Sequence, residues 1–338
     1  MGGVDLPSLT SRFPPLDVER LIANQVPPPQ FAAARFDNYR PDISQPSQSA
    51  ALRRMRALAY SLHRKGSKLA GLFRRKAPAS GVYLDGGYGV GKTHLLAALA
   101  HEIGPSESTY GTFVEYTHLV GALGYAQALQ ELQQRTLVCI DEFELDDPGD
   151  TLIMSRLIRD LGKAGVWVVA TSNTQPGALG QGRFAAEDFK REIQSLAERF
   201  EILRIDGPDY RARTLTLDRP APASAEIAAA ARSAGGGTLD DLTELLSHLR
   251  NVHPSRYGQL IDGITFVGIT GGHEIDNDAV ALRLVVLVDR LYDRSIPTRI
   301  DIPVQGLFSS RLKEGGYKKK YLRAMSRLAA LVEQDYAA

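Results

Sequence analysis

Residues 81–93 read GVYLDGGYGVGKT, and this stretch decides the fold. It opens with an apolar run typical of a buried strand, and a helical pattern follows it to about residue 103. Between the two, residues 86–93 match G-x-x-x-x-G-K-[ST], in the strand–loop–helix context that supports a phosphate-binding loop. The residues expected to bind the nucleotide are Gly86, Gly87, Tyr88, Gly89, Val90, Gly91, Lys92, Thr93 and His94.

Each residue type in this loop has a chemical task. Glycines let main-chain N–H groups curl around a phosphate without Cβ clashes, and the helix that follows adds its positive N-terminal dipole. We expect Lys92 to carry a positive charge to the β- and γ-phosphates and the hydroxyl of Thr93 to coordinate Mg²⁺. The loop therefore predicts Mg²⁺ and ATP at this site.

A second motif, LVCIDEF at 137–143, is an apolar strand that ends in two acids. In a doubly wound sheet this strand end lies beside the phosphate loop, where Asp141 is expected to hold Mg²⁺. Glu142 follows directly and is the candidate for orienting and deprotonating the attacking water. A third buried strand, VWVVATSN at 166–173, ends in polar residues, of which Asn173 is the candidate for contacting the γ-phosphate or the water.

Predicted strands and predicted helices alternate along the chain, as in βαβ units. Apolar runs that lack polar alternation predict a parallel sheet covered on both faces. The predicted strands of this region are 81–84, 112–116, 137–140, 166–170 and 202–205. We therefore predict an α/β P-loop NTPase of the AAA+ type, with a parallel sheet flanked by helices. A C-terminal mixed α/β or helical lid region is expected to follow.

ATP hydrolysis also needs positive charge at the γ-phosphate, which a neighbouring subunit often supplies as an arginine finger. Arg183 follows flexible glycines and precedes a predicted helix, so it is the first candidate. The alternatives left open are Arg191, Arg199, Arg211 and Arg213.

Length and composition set the outer limits. The chain has 338 residues, which fits two domains or one large domain with an appendage, and its net charge is +1. We divide it into an extended Pro-rich arm (1–49), an ATPase core (50–218) and a C-terminal region (219–338). The single cysteine excludes an internal disulfide. Without a secretory signal or an apolar stretch long enough for a bilayer, we predict a cytoplasmic protein.

With these motifs placed, the chain resembles the ZapE family of bacterial cell-division AAA+ ATPases, which has mitochondrial relatives. The resemblance covers most of the chain. It is carried by GVYLDGGYGVGKTHLL, IDEFELDDPGDTLI, VVATSN, the run DYRAR at 209–213, and a tail that contains LRLVVLVDRLYDRSIP and KKYLRAMSRLAAL. It implies ATP hydrolysis coupled to remodelling of a protein partner, which in bacteria is the FtsZ ring, and it implies a homo-oligomer. It also implies that a lid arginine senses the γ-phosphate, here Arg283 or Arg323.

Other functions remain open at this point. A nucleic-acid-linked AAA+ protein of the helicase-loader type shares the P-loop, the acidic strand end and a basic N-terminal stretch. Such loaders typically stop soon after the fifth strand, whereas this chain continues for more than a hundred residues. The basic stretch at 53–76 fits a solvated helix face, an acidic lipid surface or nucleic acid. A small-molecule kinase is the weakest reading, because Glu142 points to water as the nucleophile.

Overall fold

The structure is a computed structural model that describes residues 6–15, 18–65, 81–87, 89–144, 148–174, 194, 197–207 and 220–332. The chain divides into two compact units. One is Val18–Ala212, and the other combines Met1–Asp17 with Arg213–Ala338. The predicted arm over 1–49 therefore contributes to both units. Among the described residues, no helix is both long enough and apolar enough to cross a membrane.

The first unit is built on a five-stranded sheet of order β2-β3-β4-β1-β5, in which every neighbouring pair is parallel. This confirms the predicted parallel sheet. Its strands are β1 (Gly81–Gly86), β2 (Ser108–Thr112), β3 (Leu137–Asp141), β4 (Trp167–Ser172) and β5 (Phe200–Ile205). Its helices are α1 (Val18–Ala23), α2 (Pro46–Lys65), α3 (Lys92–Ile103), α4 (Phe113–Leu123), α5 (Tyr125–Leu132) and α6 (Pro148–Ala164).

Each face of this sheet carries its own apolar core. In β1, Val82 and Leu84 pack into the core shared with α2 and α3, and Tyr83 packs into the core shared with α4 and α6. This alternation of side chains along one strand is why both faces need apolar residues, and it accounts for the missing polar alternation in the sequence. The phosphate-loop motif thus follows a strand that is fixed from both sides.

The predicted second strand at 112–116 is wrong. The strand is Ser108–Thr112, and Phe113 already begins α4. Thr112 caps this helix, because its hydroxyl accepts a hydrogen bond from the N–H of Glu115 while the Glu115 carboxylate accepts one from the N–H of Thr112. Such a capping box fixes a helix start despite the aromatic and β-branched residues that favour a strand. The helix predicted to follow Arg183, over 185–199, lies almost entirely outside the described residues.

The second unit is also α/β, with three parallel strands in the order β6-β7-β8. Its strands are β6 (Gly237–Asp241), β7 (Phe266–Thr270) and β8 (Thr298–Ile300). Its helices are α7 (Ser224–Ser233), α8 (Leu242–Asn251), α9 (Tyr257–Leu260), α10 (Asp278–Asp293), α11 (Ser310–Glu314) and α12 (Lys318–Val332).

An N-terminal segment completes this second unit. The main-chain N–H of Leu239 donates to the carbonyl of Pro7, and the Ser8 hydroxyl donates to the Asp240 carboxylate at 2.5 Å. Leu9 is fully buried in the core of the unit. Asp241 ends β6 and caps α8, because its carboxylate accepts hydrogen bonds from the N–H groups of Thr243 and Glu244.

Candidate nucleotide site

The phosphate loop leaves β1 at Gly86 and enters α3 at Lys92. Gly91 has φ +89°, in the left-handed region that favours glycine. A Cβ at this position would lie 2.5 Å from the ring of Tyr39, whose hydroxyl donates to the carbonyl of Val90 at 3.1 Å. The conformation of the loop therefore depends on its own glycines and on the ring of Tyr39. Tyr88 lies outside the described residues.

Lys92 joins the loop to the end of β4. Its Nζ donates to the carbonyl of Gly86 and to Oδ1 of Asn173, each at 2.8 Å. Lys92 is buried, so these oxygens satisfy an ammonium group that has little access to water. The predicted Lys92 and Asn173 thus lie together at the carboxyl edge of the sheet. Phosphate oxygens are strong acceptors that can take the place of the carbonyls around this cation.

Asp141 at the end of β3 is the buried carboxylate of the site, with 6% exposure. Tyr110 donates its hydroxyl to Oδ2 at 2.7 Å, and Thr171 donates its hydroxyl to Oδ1. The Thr93 hydroxyl lies 3.3 Å from the same Oδ1. Burial raises the pKa of Asp141, the neighbouring Glu142 raises it further, and the hydroxyl donors lower it. The hydroxyl groups of Tyr110 and Thr171 together fix the orientation of the Asp141 carboxylate.

These residues fit a magnesium ion. Thr93 and Asp141 present the hard oxygen donors that Mg²⁺ prefers, and Mg²⁺ usually takes only one or two protein ligands beside substrate phosphates and water. The described residues contain no group of three or more His, Cys, Asp or Glu that could hold a metal without further ligands. A sparse donor set of this kind matches an ion that arrives with a nucleotide.

Glu142 has an unusual backbone conformation, with φ +51°. Its N–H donates to Oδ1 of Asp141 and to Oγ1 of Thr171, both at 3.1 Å. The next residue, Phe143, is fully buried, and its N–H donates to the carbonyl of Thr171 at 2.7 Å. The side chain of Glu142 is half-buried and directly follows the residue proposed to hold the metal. Hydrogen bonds from the N–H groups of Glu142 and Phe143 therefore fix the backbone at this acid.

Comparison with known proteins identifies the family. The model of the AFG1-like ATPase family matches residues 16–233 and 220–338. The chain belongs to the AFG1-like ATPase family. ATP hydrolysis is the activity that this family implies, and the earlier resemblance to ZapE is confirmed.

Individual relatives of this AFG1-like ATPase are more distant. The cell division protein ZapE of Escherichia coli K12 is 29% identical over 154 residues, which are 42% of this chain and 41% of ZapE. The lactation elevated protein 1 homolog B of Danio rerio is 36% identical over 89 residues, covering 26% of this chain and 18% of that protein. The chain thus matches well under half the length of these relatives.

Solved structures offer weaker likenesses. DnaI has a TM-score of 0.41 and 18% identity, with 56% of this chain and 99% of that chain covered. Domain III of the Thermotoga maritima replication initiation protein DnaA has a TM-score of 0.38 and 17% identity, with 60% and 72% covered. Likenesses of this strength do not bear on the function of the AFG1-like ATPase.

The predicted arginines fall in three places. Arg183, Arg191, Arg211 and Arg213 lie outside the described residues. Arg199 is described and half-buried, directly before β5. The two lid candidates belong to the second unit. There Arg323 donates to Asp289 at 3.0 Å, and Arg283 is half-buried on α10.

Sequence reasoning missed three residues that shape this site. Tyr110 and Thr171 hold the Asp141 carboxylate, and Tyr39 packs on the phosphate loop. Thr171 could have been predicted, because it stands two residues before Asn173 at the same strand end. Tyr110 could not, because the second strand was predicted at 112–116 and Tyr110 lay outside it. His94, predicted at the nucleotide, shares a 3.0 Å hydrogen bond between its Nε2 and the Arg35 carbonyl.

Proposed function

We propose that this AFG1-like ATPase binds ATP with Mg²⁺ at residues 86–94, hydrolyses it, and uses the energy to remodel a protein partner in cell division. One observation carries the chemical part: Lys92, Asp141 and Asn173 meet at the carboxyl edge of a parallel sheet, where ligands of such folds bind. The cell-division part is supported by the name of the ZapE relative.

The residues have separate tasks in this proposal. The loop amides of 86–93 and the Lys92 ammonium bind the phosphates, and Lys92 leaves its carbonyl partners to do so. Thr93 and Asp141 hold Mg²⁺, which when bound would neutralise charge on the phosphate oxygens. Glu142 orients the attacking water and takes its proton, and Asn173 fixes the water or the γ-phosphate.

Positive charge from further residues would complete the site. We assign the arginine finger to Arg183 of a neighbouring subunit, which requires a homo-oligomer. Arg191, Arg199, Arg211 and Arg213 stay alternatives. Arg283 and Arg323 both stay candidates for the lid arginine that senses the γ-phosphate.

The proposed setting follows from the ZapE resemblance. The partner would be FtsZ or another division component, acting with a cytoplasmic ATPase that touches the membrane at most peripherally. Nucleic acid is the less favoured partner. A helicase-loader role would show itself as strong stimulation of ATP turnover by single-stranded DNA, lost between 50 mM and 200 mM salt.

Two matched variants test the proposal. Lys92→Ala should lose ATP binding, whereas Glu142→Gln should bind ATP without turning it over and should accumulate ATP-dependent assemblies, measured by mass with and without ATP. Proteins that co-purify with Glu142→Gln then report the partner. Normal turnover by Glu142→Gln would refute its role as the base, and tight ATP binding by Lys92→Ala would refute the loop assignment.

A further inference from the structure

A buried carboxylate stands directly before the phosphate loop. Asp85 lies in β1 immediately before Gly86, where the loop motif begins, and it is 4% exposed. Its carboxylate accepts a hydrogen bond from the N–H of Gly86, whose carbonyl in turn accepts one from Lys92 at 2.8 Å. A negative charge beside a triphosphate site repels the ligand unless a neighbouring cation neutralises it.

Arg204 of β5 is in a position to neutralise this charge. Asp85 and Arg204 are register partners across the parallel pair of β1 and β5, so their side chains lie on the same face of the sheet. Nη1 of Arg204 lies 3.7 Å from Oδ2 of Asp85. Nε of Arg204 donates to Oδ1 of Asp206 at 2.8 Å, which keeps the guanidinium at the carboxyl end of the strand.

The acid that orients Arg204 is itself fixed by α2. The main-chain N–H of Asp206 donates to Oγ of Ser47 at 2.9 Å, and its carbonyl accepts from Nε2 of Gln48 at 2.9 Å. Gln48 is buried, at 2% exposure. None of these contacts involves the phosphate loop, so the pair of Asp85 and Arg204 is formed before a nucleotide binds.

The charges at this end of β1 act on one another. Burial raises the pKa of Asp85, and the charges of Arg204 and then of Lys92 lower it. Since Lys92 lowers this pKa, its ammonium and the Asp85 carboxylate attract each other. Without Arg204, the carboxylate would compete with phosphate oxygens for Lys92 and would also repel them.

We propose that Arg204 is a positioning residue of the nucleotide site, which neutralises Asp85 and thereby leaves Lys92 available to the phosphates of ATP. The proposal rests on the assignment of residues 86–93 to ATP. It requires no contact between Arg204 and the nucleotide, because the effect passes through the charge of Asp85.

ATP affinity of charge-deleting variants of the full chain tests this proposal. Calorimetric titration at pH 8, well above the ordinary aspartate pKa of about 4, keeps the comparison on the ionised carboxylate. Arg204→Gln should weaken ATP binding by about three- to thirtyfold, the range for one uncompensated unit charge at a partly screened site. Asp85→Asn keeps the shape of the side chain and should bind ATP at least as tightly as the parent. A purely structural ion pair predicts weaker binding in both variants.

A double variant and a matched control separate the charge effect from other causes. Asp85→Asn combined with Arg204→Gln lacks both charges and should return to within about twofold of the parental affinity. Arg54→Gln is the control, because Arg54 pairs with Glu201 of the same strand at 2.6 Å. Glu201 lies three residues before Arg204 and therefore faces the other side of the sheet. This variant also removes one positive charge from an ion pair, and it should keep the parental ATP affinity. Melting temperatures verify that each variant is folded.

Three results would overturn the proposal. They are parental ATP affinity in Arg204→Gln, a double variant that binds as weakly as Arg204→Gln, and an equal loss in Arg54→Gln. If Arg204→Gln does not fold, Asp85→Asn decides alone, since weaker ATP binding by that variant would contradict the charge effect. A parent protein that does not bind ATP would refute the loop assignment together with this proposal, whereas the other results leave the loop assignment intact.

Discussion

Replacing Tyr110 with Phe removes a single oxygen from the proposed magnesium site. The Tyr110 hydroxyl donates to Oδ2 of Asp141 at 2.7 Å, and the ring is packed in the core at 3% exposure. Phe keeps that packing and deletes only the donor. A hydrogen bond to a charged group contributes about 1.5–3 kcal/mol, which corresponds to about 10–150-fold in an equilibrium constant. Loss of an outer-shell partner of a metal ligand typically costs about 10–100-fold in affinity or activity.

We therefore expect Tyr110→Phe to raise the Mg²⁺ concentration for half-maximal ATP turnover by about 10–100-fold. The physical reason is that the carboxylate loses the donor that fixes its orientation toward Thr93. The assay is ATP turnover as a function of Mg²⁺ at saturating ATP, with unfolding in denaturant measured in parallel.

Tyr116→Phe is the matched control, because Tyr116 is also a buried tyrosine packed beside β2 and β3. Its hydroxyl donates to the carbonyl of Cys139 at 3.1 Å, lies 2.9 Å from the Thr109 hydroxyl, and does not touch Asp141. This variant should lose about 1–3 kcal/mol of stability, as expected for two neutral hydrogen bonds, and keep the parental Mg²⁺ dependence. A Tyr110→Phe protein with parental Mg²⁺ dependence would refute the assignment of Asp141 to the metal.

Three further outcomes are expected. Burial raises the pKa of Cys139, and the charge of Asp141 adds to this, so the thiol stays protonated from pH 7 to 9. Thiol reagents should then label it only in denaturant, and rapid labelling of the native protein at pH 8 would contradict the packing. Burial raises the pKa of Asp289, but its arginine partners outweigh that effect and hold it below the usual range. Its stabilising contribution is therefore present above about pH 4 and lost as the pH falls. Asp289→Asn should cost about 1.5–3 kcal/mol at pH 7 in chemical unfolding, and a loss below about 0.5 kcal/mol would count against these partly buried ion pairs. Gly91→Ala should abolish ATP binding through clash with the Tyr39 ring. Gly104→Ala, at φ +89° and ψ 156° with open space around it, should lose about 1–3 kcal/mol of stability and keep ATP binding. Equal ATP binding by both variants would refute the role of that ring.

The geometry of the phosphate loop was predictable because its residues are neighbours in the sequence. A strand, a glycine loop and a helix follow one another within residues 81–103, so their order in the chain is also their order in space. Asp141 and Asn173 needed one further rule, that parallel strands end at the same sheet edge, and the structure brings Asn173 to Lys92 and Asp141 to Thr93.

Contacts between distant parts of the chain were not predictable in this way. Tyr39 meets Gly91 across more than fifty residues, and Ser8 meets Asp240 across more than two hundred. Hydrophobic periodicity describes one element at a time and cannot select its partner. The strand predicted at 112–116 is wrong for a different reason. Its aromatic and β-branched residues favour a strand, whereas Thr112 and Glu115, three residues apart in TFVE, form the capping box of a helix start.

Glu142, the proposed catalytic base, has a strained backbone conformation. A left-handed conformation costs a non-glycine residue about 1–2 kcal/mol, so it persists only where the surroundings impose it. Here the constraint comes from Asp141 and Thr171, which both accept from the Glu142 N–H, and from the buried ring of Phe143. Asp141 is also a proposed ligand of Mg²⁺, and Thr171 donates its hydroxyl to that carboxylate. Any substitution that loosens Asp141 should therefore displace Glu142 as well, and metal affinity and turnover should fall together.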